Sequence, residues 1–182
     1  MRKTNTTQYL FSGFGGQGIL FSGKFLAYKG LIEGLNVSWL PSYGPEMRGG
    51  TASCSVVVSD VEVDSPIVSK PDILIAMNLP SLDKYESWAK PGALVFVDSS
   101  LVTRKVERTD VTAYYVPATQ LASENGIPTL ANMILMGKIL KLCGEFDMKT
   151  IKAALAKVIS AKHADMAEAN MKALLIGADY KE

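Results

Sequence analysis

The sequence predicts an α/β fold in which helices flank a mostly parallel sheet. Short apolar runs alternate with segments whose apolar residues recur at helical spacing, as in a series of strand–helix units. From Thr119 onward the pattern is helical only, which adds a helical C-terminal tail to the sheet. We expect one domain over residues 1–182, because a chain of this length buries about 70% of its unfolded surface.

Each element follows from apolar spacing and from the turn residues that bound it. Strands are predicted over 7–13, 35–40, 51–59, 71–78, 92–100 and 111–118. A short hairpin arm is predicted after the third strand, over 61–63. Helices are predicted over 19–31, 81–89, 129–144, 147–159 and 163–177. Ser81 is expected to cap the second helix, and Gly144 and Gly177 are expected to end two of the others.

Composition excludes several classes of protein. The net charge is +1, so no charge imbalance indicates a nucleic-acid partner. No apolar run approaches the roughly 18 residues that a membrane helix needs, and the apolar segment near the start is too short for a signal peptide. We therefore expect a cytoplasmic protein with neither a nucleic-acid nor a membrane partner.

The residues that usually carry catalysis are scarce. The two cysteines, Cys54 and Cys143, match no disulfide or metal pattern, and an iron–sulfur cluster takes four thiolates. His163 is the only histidine, and no G-x-S-x-G elbow accompanies it. The P-loop pattern is also absent. We expect no catalytic residue and no metal site in this chain.

A glycine turn, GFGGQG, follows the first strand and opens the first helix. Its glycines fit G-x-G-x-x-G: the first permits a tight turn, the second lets backbone approach a ligand, and the third lets the helix pack close to the strand. The helix N-terminus then offers N–H groups to an anion, as in a Rossmann-like fold. The candidate anion site is Gly13, Gly15, Gly16, Gln17 and Gly18. The alternative is that these residues only shape the turn.

An ordinary dinucleotide site is disfavoured. Such a site needs an Asp or Glu at the end of the second strand to hold the ribose hydroxyls. That strand ends in SWLPSYG, with Glu33 before it and Glu46 well after it. A stand-alone nucleotide-binding dehydrogenase therefore remains only an alternative.

The loop after the second strand is the densest run of special residues, PSYGPEMRGGTASCSVVVS over 41–59. Ligands of parallel α/β sheets meet the carboxyl ends of the strands, so this loop should lie beside the glycine turn. Arg48 offers a fork for phosphate or carboxylate, and Glu46 could steady it or reach a partner. Gly49 and Gly50 allow close backbone approach. The alternative is a solvated loop with a local Glu–Arg pair.

This chain resembles the gamma subunit of 2-oxoacid:ferredoxin oxidoreductases, which are thiamine-dependent complexes acting on 2-oxoglutarate, pyruvate or branched-chain oxoacids. The 41–59 motif is the most specific part of the resemblance, and SYGPEMRGG is most similar to the 2-oxoglutarate forms. The matching stretches cover nearly the whole chain: GFGGQGI (13–19), residues 41–59, DSPIVSKPDILIAMNLPSLDKY (64–85), PGALVFVDSS (91–100) and IPTLANMILMGKIL (127–140).

The resemblance implies a division of labour. Thiamine diphosphate, Mg and the iron–sulfur clusters would sit on alpha, beta and delta-type subunits, and electrons would leave through ferredoxin. The chain also lacks the Gly-Asp-Gly pattern that opens a thiamine diphosphate motif. The gamma subunit would bind no cofactor of its own and would shape the approach of coenzyme A at the glycine turn.

The resemblance also implies a set of interface or coenzyme A residues. They are Ser42, Tyr43, Gly44, Glu46, Arg48, Gly49, Gly50, Asn78 and Ser81. For Asn78 the alternative is that it closes a turn before Pro80. A pure interaction module, with the glycine turn empty, is the third hypothesis. An isolated chain is expected to be inactive, and it could cover its exposed interface by forming a homo-oligomer.

Overall fold

A computed structural model describes residues 5–42, 51–160 and 164–181. Its centre is one six-stranded sheet, and all six predicted strands are confirmed. The strands are β1 (Thr6–Phe14), β2 (Asn36–Ser42), β3 (Thr51–Ser59), β4 (Ile73–Ala76), β5 (Leu94–Asp98) and β6 (Thr112–Val116).

The sheet has the order β2-β3-β1-β4-β5-β6 and is mostly parallel. The pairs β1–β4, β4–β5 and β5–β6 are parallel, whereas β3 runs antiparallel to both of its neighbours. Parallel neighbours need a crossover of about a dozen residues or more. Only residues 43–50 join β2 to β3, so this pair is antiparallel.

Six α-helices flank the sheet within the described ranges, and the five predicted helices are confirmed. They are α1 (Ile19–Ile32), α2 (Leu79–Tyr85), α3 (Ala118–Glu124), α4 (Ala131–Leu142), α5 (Met148–Val158) and α6 (Ala164–Asp179). The short α3 lies in the segment predicted only as helical in general. Among the described residues, no helix combines the length and the apolar character that a bilayer-spanning segment requires.

Three local predictions are wrong: packing against distant residues decides two of them, and a neighbouring side chain decides the third. The hairpin arm at 61–63 does not form, since Val63 instead packs onto a core beneath the sheet. Ser81 does not cap α2; the Asn78 side chain does, accepting a hydrogen bond from Ser81 N at 2.8 Å. Gly177 lies inside α6 rather than at its end. The prediction for Gly144 is confirmed: it has φ +72° and follows the end of α4.

Strand alternation divides the core in two. Tyr9 and Phe11 of β1 face the larger core, which includes residues of α1, α4, α5 and α6. Leu10 faces the smaller core, where Leu82 and Tyr85 of α2 cover the other side of the sheet. Successive strand residues point to opposite faces, so both faces of β1 are buried. Because β1 is packed on both faces, the turn that follows it has a fixed position relative to the sheet.

The helices α4 and α6 cross at two glycines. A Cβ placed on Gly137 would meet the Leu174 backbone, lying 2.7 Å from its carbonyl carbon. A Cβ on Gly177 would lie equally close, 2.7 Å, to the carbonyl carbon of Ile134. Both distances are well below van der Waals contact, so this crossing requires glycine on each helix.

Candidate functional site

The glycine turn connects β1 to α1 at the carboxyl edge of the parallel strands. Gly15 and Gly16 are exposed, and the Gln17 N–H donates to Phe14 O at 3.2 Å. Gly16 and Gly18 have φ values of +95° and +75°, a region that other residues rarely adopt. The backbone conformation of the turn is therefore enough to require glycine at positions 16 and 18.

Gly13 and Gly18 are also needed for space. A Cβ on Gly13 would lie 2.7 Å from both Gln17 Oε1 and Ile19 Cδ1. A Cβ on Gly18 would lie 2.5 Å from Asn132 Nδ2, on α4. Gly18 was expected to let α1 pack close to β1. The side chain that occupies the space beside it is instead Asn132, which belongs to α4.

The Gln17 side chain holds the turn from within. Its Oε1 accepts from Phe14 N at 2.6 Å and from Asn78 Nδ2 at 3.3 Å. Its Nε2 donates to Met77 O at 3.1 Å, so one amide joins the ends of β1 and β4. Asn78 is 2% exposed and Ser81 is fully buried. Asn78 thus joins Gln17 of the glycine turn to the start of α2, where its side chain caps the helix through Ser81 N rather than closing a turn before Pro80.

Among the described residues, no acidic side chain caps the N-terminus of α1 or stands in its first turn. No other side chain of the described residues caps it either. The aligned peptide dipoles of a 14-residue helix place a partial positive charge there. With the exposed backbone of Gly15 and Gly16 beside it, this end of α1 can receive an anion such as a phosphate.

Asp98, at the end of β5, is the acid that the sequence reasoning missed. It is fully buried, and its Oδ2 accepts from Thr119 Oγ1 at 2.5 Å. Its Oδ1 accepts from Ser100 N at 3.1 Å and from Thr119 N at 3.3 Å. Asp98 thus ties the end of β5 to the first turn of α3, which follows β6 in the chain. The sequence signal that could have identified Asp98 was an acidic residue followed by two serines at the end of an apolar strand, VFVDSS.

Asn132 was also missed, because an isolated polar residue in an apolar helix gives little indication of its partners. It is 5% exposed on α4. Its Nδ2 donates to Gly18 O at 3.1 Å and to Ser22 Oγ at 2.9 Å. Together with Met133, whose Sδ accepts from Ser22 Oγ at 4.0 Å, it connects α4 to the start of α1.

Most of the predicted interface loop lies outside the described residues. The predicted site residues that lie outside are Tyr43, Gly44, Glu46, Arg48, Gly49 and Gly50, and His163 lies outside as well. Ser42, the last residue of β2, is exposed and pairs with Ser53, which in turn pairs with Ser12 of β1. Strand spacing puts Ser42 about 10 Å from Ser12. The loop thus begins at the same edge as the glycine turn, with β3 between them.

The two thiols do not suit metal ligation or nucleophilic chemistry. Burial raises the pKa of Cys54 to about 12, and burial together with the nearby Glu145 carboxylate raises that of Cys143 to about 11. Thiolate, the reactive and metal-binding form, is therefore scarce at neutral pH. Within the described ranges, no group of three or more His, Cys, Asp or Glu side chains could hold a metal ion.

Comparison with known proteins gives a family match over almost the full length. A sequence model of the family described as pyruvate ferredoxin/flavodoxin oxidoreductase matches residues 8–180. The 2-oxoglutarate synthase subunit KorC of Methanocaldococcus jannaschii is 40% identical over 147 residues, covering 79% of each chain.

A second relative is much longer. The ketoisovalerate oxidoreductase subunit VorA of Methanothermobacter marburgensis is 38% identical over 170 residues, which are 93% of this chain. This chain spans about 35% of the length of that relative.

Solved structures share the fold. The gamma subunit of keto/oxoacid ferredoxin oxidoreductase from Geobacter sulfurreducens has a TM-score of 0.80 at 28% identity, over 95% of this chain and 96% of that one. A chain of 2-oxoglutarate:ferredoxin oxidoreductase from Magnetococcus marinus has a TM-score of 0.81 at 24% identity, over 97% of this chain and 31% of that one.

Proposed function

Because this chain belongs to the pyruvate ferredoxin/flavodoxin oxidoreductase family, we propose that it is the gamma-type subunit of a cytoplasmic 2-oxoacid:ferredoxin oxidoreductase, acting as one domain over residues 1–182. The complex would convert a 2-oxoacid and coenzyme A to an acyl-CoA and carbon dioxide, passing two electrons to ferredoxin. The observation that carries the proposal is the family match over residues 8–180, together with the fold that 95% of this chain shares with a solved gamma subunit.

The catalytic cofactors would lie on the alpha, beta and delta-type subunits. Two cysteines with raised pKa values do not fit a cluster that takes four thiolates. The Gly-Asp-Gly pattern of a thiamine diphosphate and Mg site is absent from the sequence. Thiamine diphosphate would supply the decarboxylation chemistry elsewhere in the complex, so this chain contributes position and electrostatics.

Within the complex, the glycine turn would guide coenzyme A. The exposed backbone of Gly15 and Gly16 and the uncapped N-terminus of α1 fit a phosphate group. Ser42 and the loop that follows it begin at the same edge, so Arg48 could reach a second phosphate or a neighbouring subunit. Asn78 and Ser81, being buried, would act through the turn that they support.

The 2-oxoglutarate form is the proposed substrate type. The SYGPEMRGG motif is most similar to the 2-oxoglutarate forms. KorC, named as a 2-oxoglutarate synthase subunit, is 40% identical to this chain over 147 residues, and VorA, named for ketoisovalerate, is 38% identical over 170 residues. The motif and the match to KorC together favour the 2-oxoglutarate form.

The topology argues against the dehydrogenase alternative. In a dinucleotide fold, the strand after the first helix lies beside β1 and supplies the ribose-binding acid. Here β3 lies between β1 and β2, and β2 ends without an acid. A calorimetric titration of the chain with NADH and NADPH should therefore show no binding.

The proposal is tested by reconstitution. Adding the purified chain to the other subunits should restore oxoacid- and coenzyme A-dependent ferredoxin reduction, with 2-oxoglutarate preferred. Arg48→Ala should weaken assembly or raise the KM for coenzyme A, whereas Lys152→Ala, which removes an exposed charge on α5, should do neither. Full activity without this chain would contradict the proposal, and unchanged assembly and KM in Arg48→Ala would remove the loop from it.

A further inference from the structure

Asn132 lies where the N-terminal ends of two long helices meet. It is the second residue of α4, and its amide contacts both Gly18, which caps α1, and Ser22 in the first turn of α1. Its Nδ2 makes both hydrogen bonds, at 3.1 and 2.9 Å. One side chain thus sets the start of α1 relative to α4.

The Asn132 side chain makes these bonds at a cost. Its Oδ1 is buried and has no hydrogen-bond partner among the described residues. Turning the amide over would not help, because the Gly18 carbonyl can only accept and must face the NH₂ group. An unpaired buried acceptor is unfavourable, and both groups that Asn132 contacts keep another partner, since Gly18 O accepts from Ser22 N and Ser22 Oγ donates to Met133 Sδ. A leucine of the same shape would therefore fill this space without a loss of stability.

The Gly18 carbonyl does not need Asn132 for its own satisfaction. It already accepts the helical hydrogen bond from Ser22 N at 3.0 Å. The contact with Asn132 therefore adds constraint rather than filling an empty acceptor. The constraint acts on a left-handed glycine, with φ +75°, at the end of the helix where an anion would bind.

We propose that Asn132 is a positioning residue for this anion site. It holds Gly18 and the first turn of α1 so that the N–H groups of the glycine turn stay aimed at a phosphate of coenzyme A. This inference rests on the proposed function, and it adds a residue of α4 to a site otherwise built from β1, α1 and β4.

Asn132→Leu separates positioning from structural support. The variant removes both donors and the unpaired oxygen together, so its resistance to urea should equal or exceed that of the wild type. Its affinity for coenzyme A and for inorganic pyrophosphate should fall about 5- to 10-fold, the equivalent of one hydrogen bond between neutral groups. Asn132→Asp keeps the shape but places a negative group beside the anion, so its affinity should fall more than about 10-fold.

Asn170 provides a matched control on α6. It is fully buried, its Nδ2 donates to Met166 O of the same helix, and its Oδ1 also lacks a partner among the described residues. Asn170→Leu should change stability much as Asn132→Leu does, yet leave anion affinity unchanged, because Asn170 does not contact the turn.

The measurements are calorimetric titration of the full chain and the KM for coenzyme A in the reconstituted complex. Wild-type affinity in Asn132→Leu, or loss of folding in that variant but not in Asn170→Leu, overturns the positioning role while leaving the proposed function intact. The proposed coenzyme A site itself fails if the wild-type chain binds neither probe and Gly16→Ala leaves the KM unchanged. The inference would then fail with it.

Discussion

The crossing of α4 and α6 offers the most direct test of how the fold is held together. In Gly137→Ala, the new Cβ would point at the Leu174 backbone, 2.7 Å from its carbonyl carbon and 2.9 Å from its Cα. Carbon atoms pack at about 3.5–4.0 Å, so the helices must separate by roughly 1 Å. Neither helix can yield easily, because Met133, Ile134 and Leu174 around the crossing are fully buried.

Two terms of opposite sign decide the size of the effect. Overpacking a well-filled core costs about 1–3 kcal/mol, and a backbone obstacle belongs at the upper end of that range. Replacing a helical glycine by alanine returns about 1 kcal/mol of helix propensity. The free energy of unfolding of Gly137→Ala should therefore fall by about 2 kcal/mol. For a domain of this size, Tm should fall by about 4–8 °C.

Urea unfolding followed by circular dichroism measures the change, with Gly30→Ala as the matched control. Gly30 is also helical, but a Cβ there would meet only the side-chain methyls of Val37, at 2.8 Å, and Val58, at 3.2 Å. Moving these methyls costs about the 1 kcal/mol that alanine returns in helix propensity, so the control should stay within about 0.5 kcal/mol of the wild type. Equal stability of Gly137→Ala and the wild type would refute the claim that backbone contact requires glycine at this crossing.

Three further predictions concern the sheet edge and the ionisable groups. Gly18→Ala should lower Tm and weaken pyrophosphate binding in titration, because alanine disfavours the left-handed backbone there. Burial raises the pKa of Glu86, but hydrogen bonds from two backbone N–H groups and from Arg104 lower it overall. The stabilisation is therefore present above the unfolded pKa and is lost as pH falls through the folded pKa. In pH-dependent urea unfolding, the stability gap between the wild type and Glu86→Gln should close below about pH 4. Cys54 is buried and its pKa is raised to about 12, so it should resist iodoacetamide at pH 8 in the folded chain. Cys143 is only partly buried and should react faster. Equal rates of modification, measured by mass spectrometry, would contradict the burial of Cys54.

The local sequence pattern was sufficient to predict the strands and most helices, because apolar runs and the turns that bound them depend on neighbouring residues. Strand pairing was not, since the position of β3 between β1 and β2 depends on contacts across the sheet. Gly177 shows the same limit. Glycine often ends a helix, but here it lies inside α6 because the backbone of α4 passes too close for a Cβ. Sequence signals report on a residue and its near neighbours, whereas these features depend on partners far along the chain.

The candidate site divides in the same way. The glycine turn was predictable because tight strand-to-helix turns need glycine at fixed spacing. Its support by Asn132 was not, because that side chain acts through Gly18 and Ser22 on another element. The contacts predicted for Tyr43, Glu46 and Arg48 remain predictions, since these residues lie outside the described ranges.

The measurement that tests the central claim most directly is native mass spectrometry of this chain, purified by an affinity tag from its own host without oxygen. The account predicts an assembly in which other subunits bring thiamine diphosphate and iron–sulfur clusters, and which oxidises a 2-oxoacid with coenzyme A. A chain recovered alone with a bound dinucleotide would contradict it.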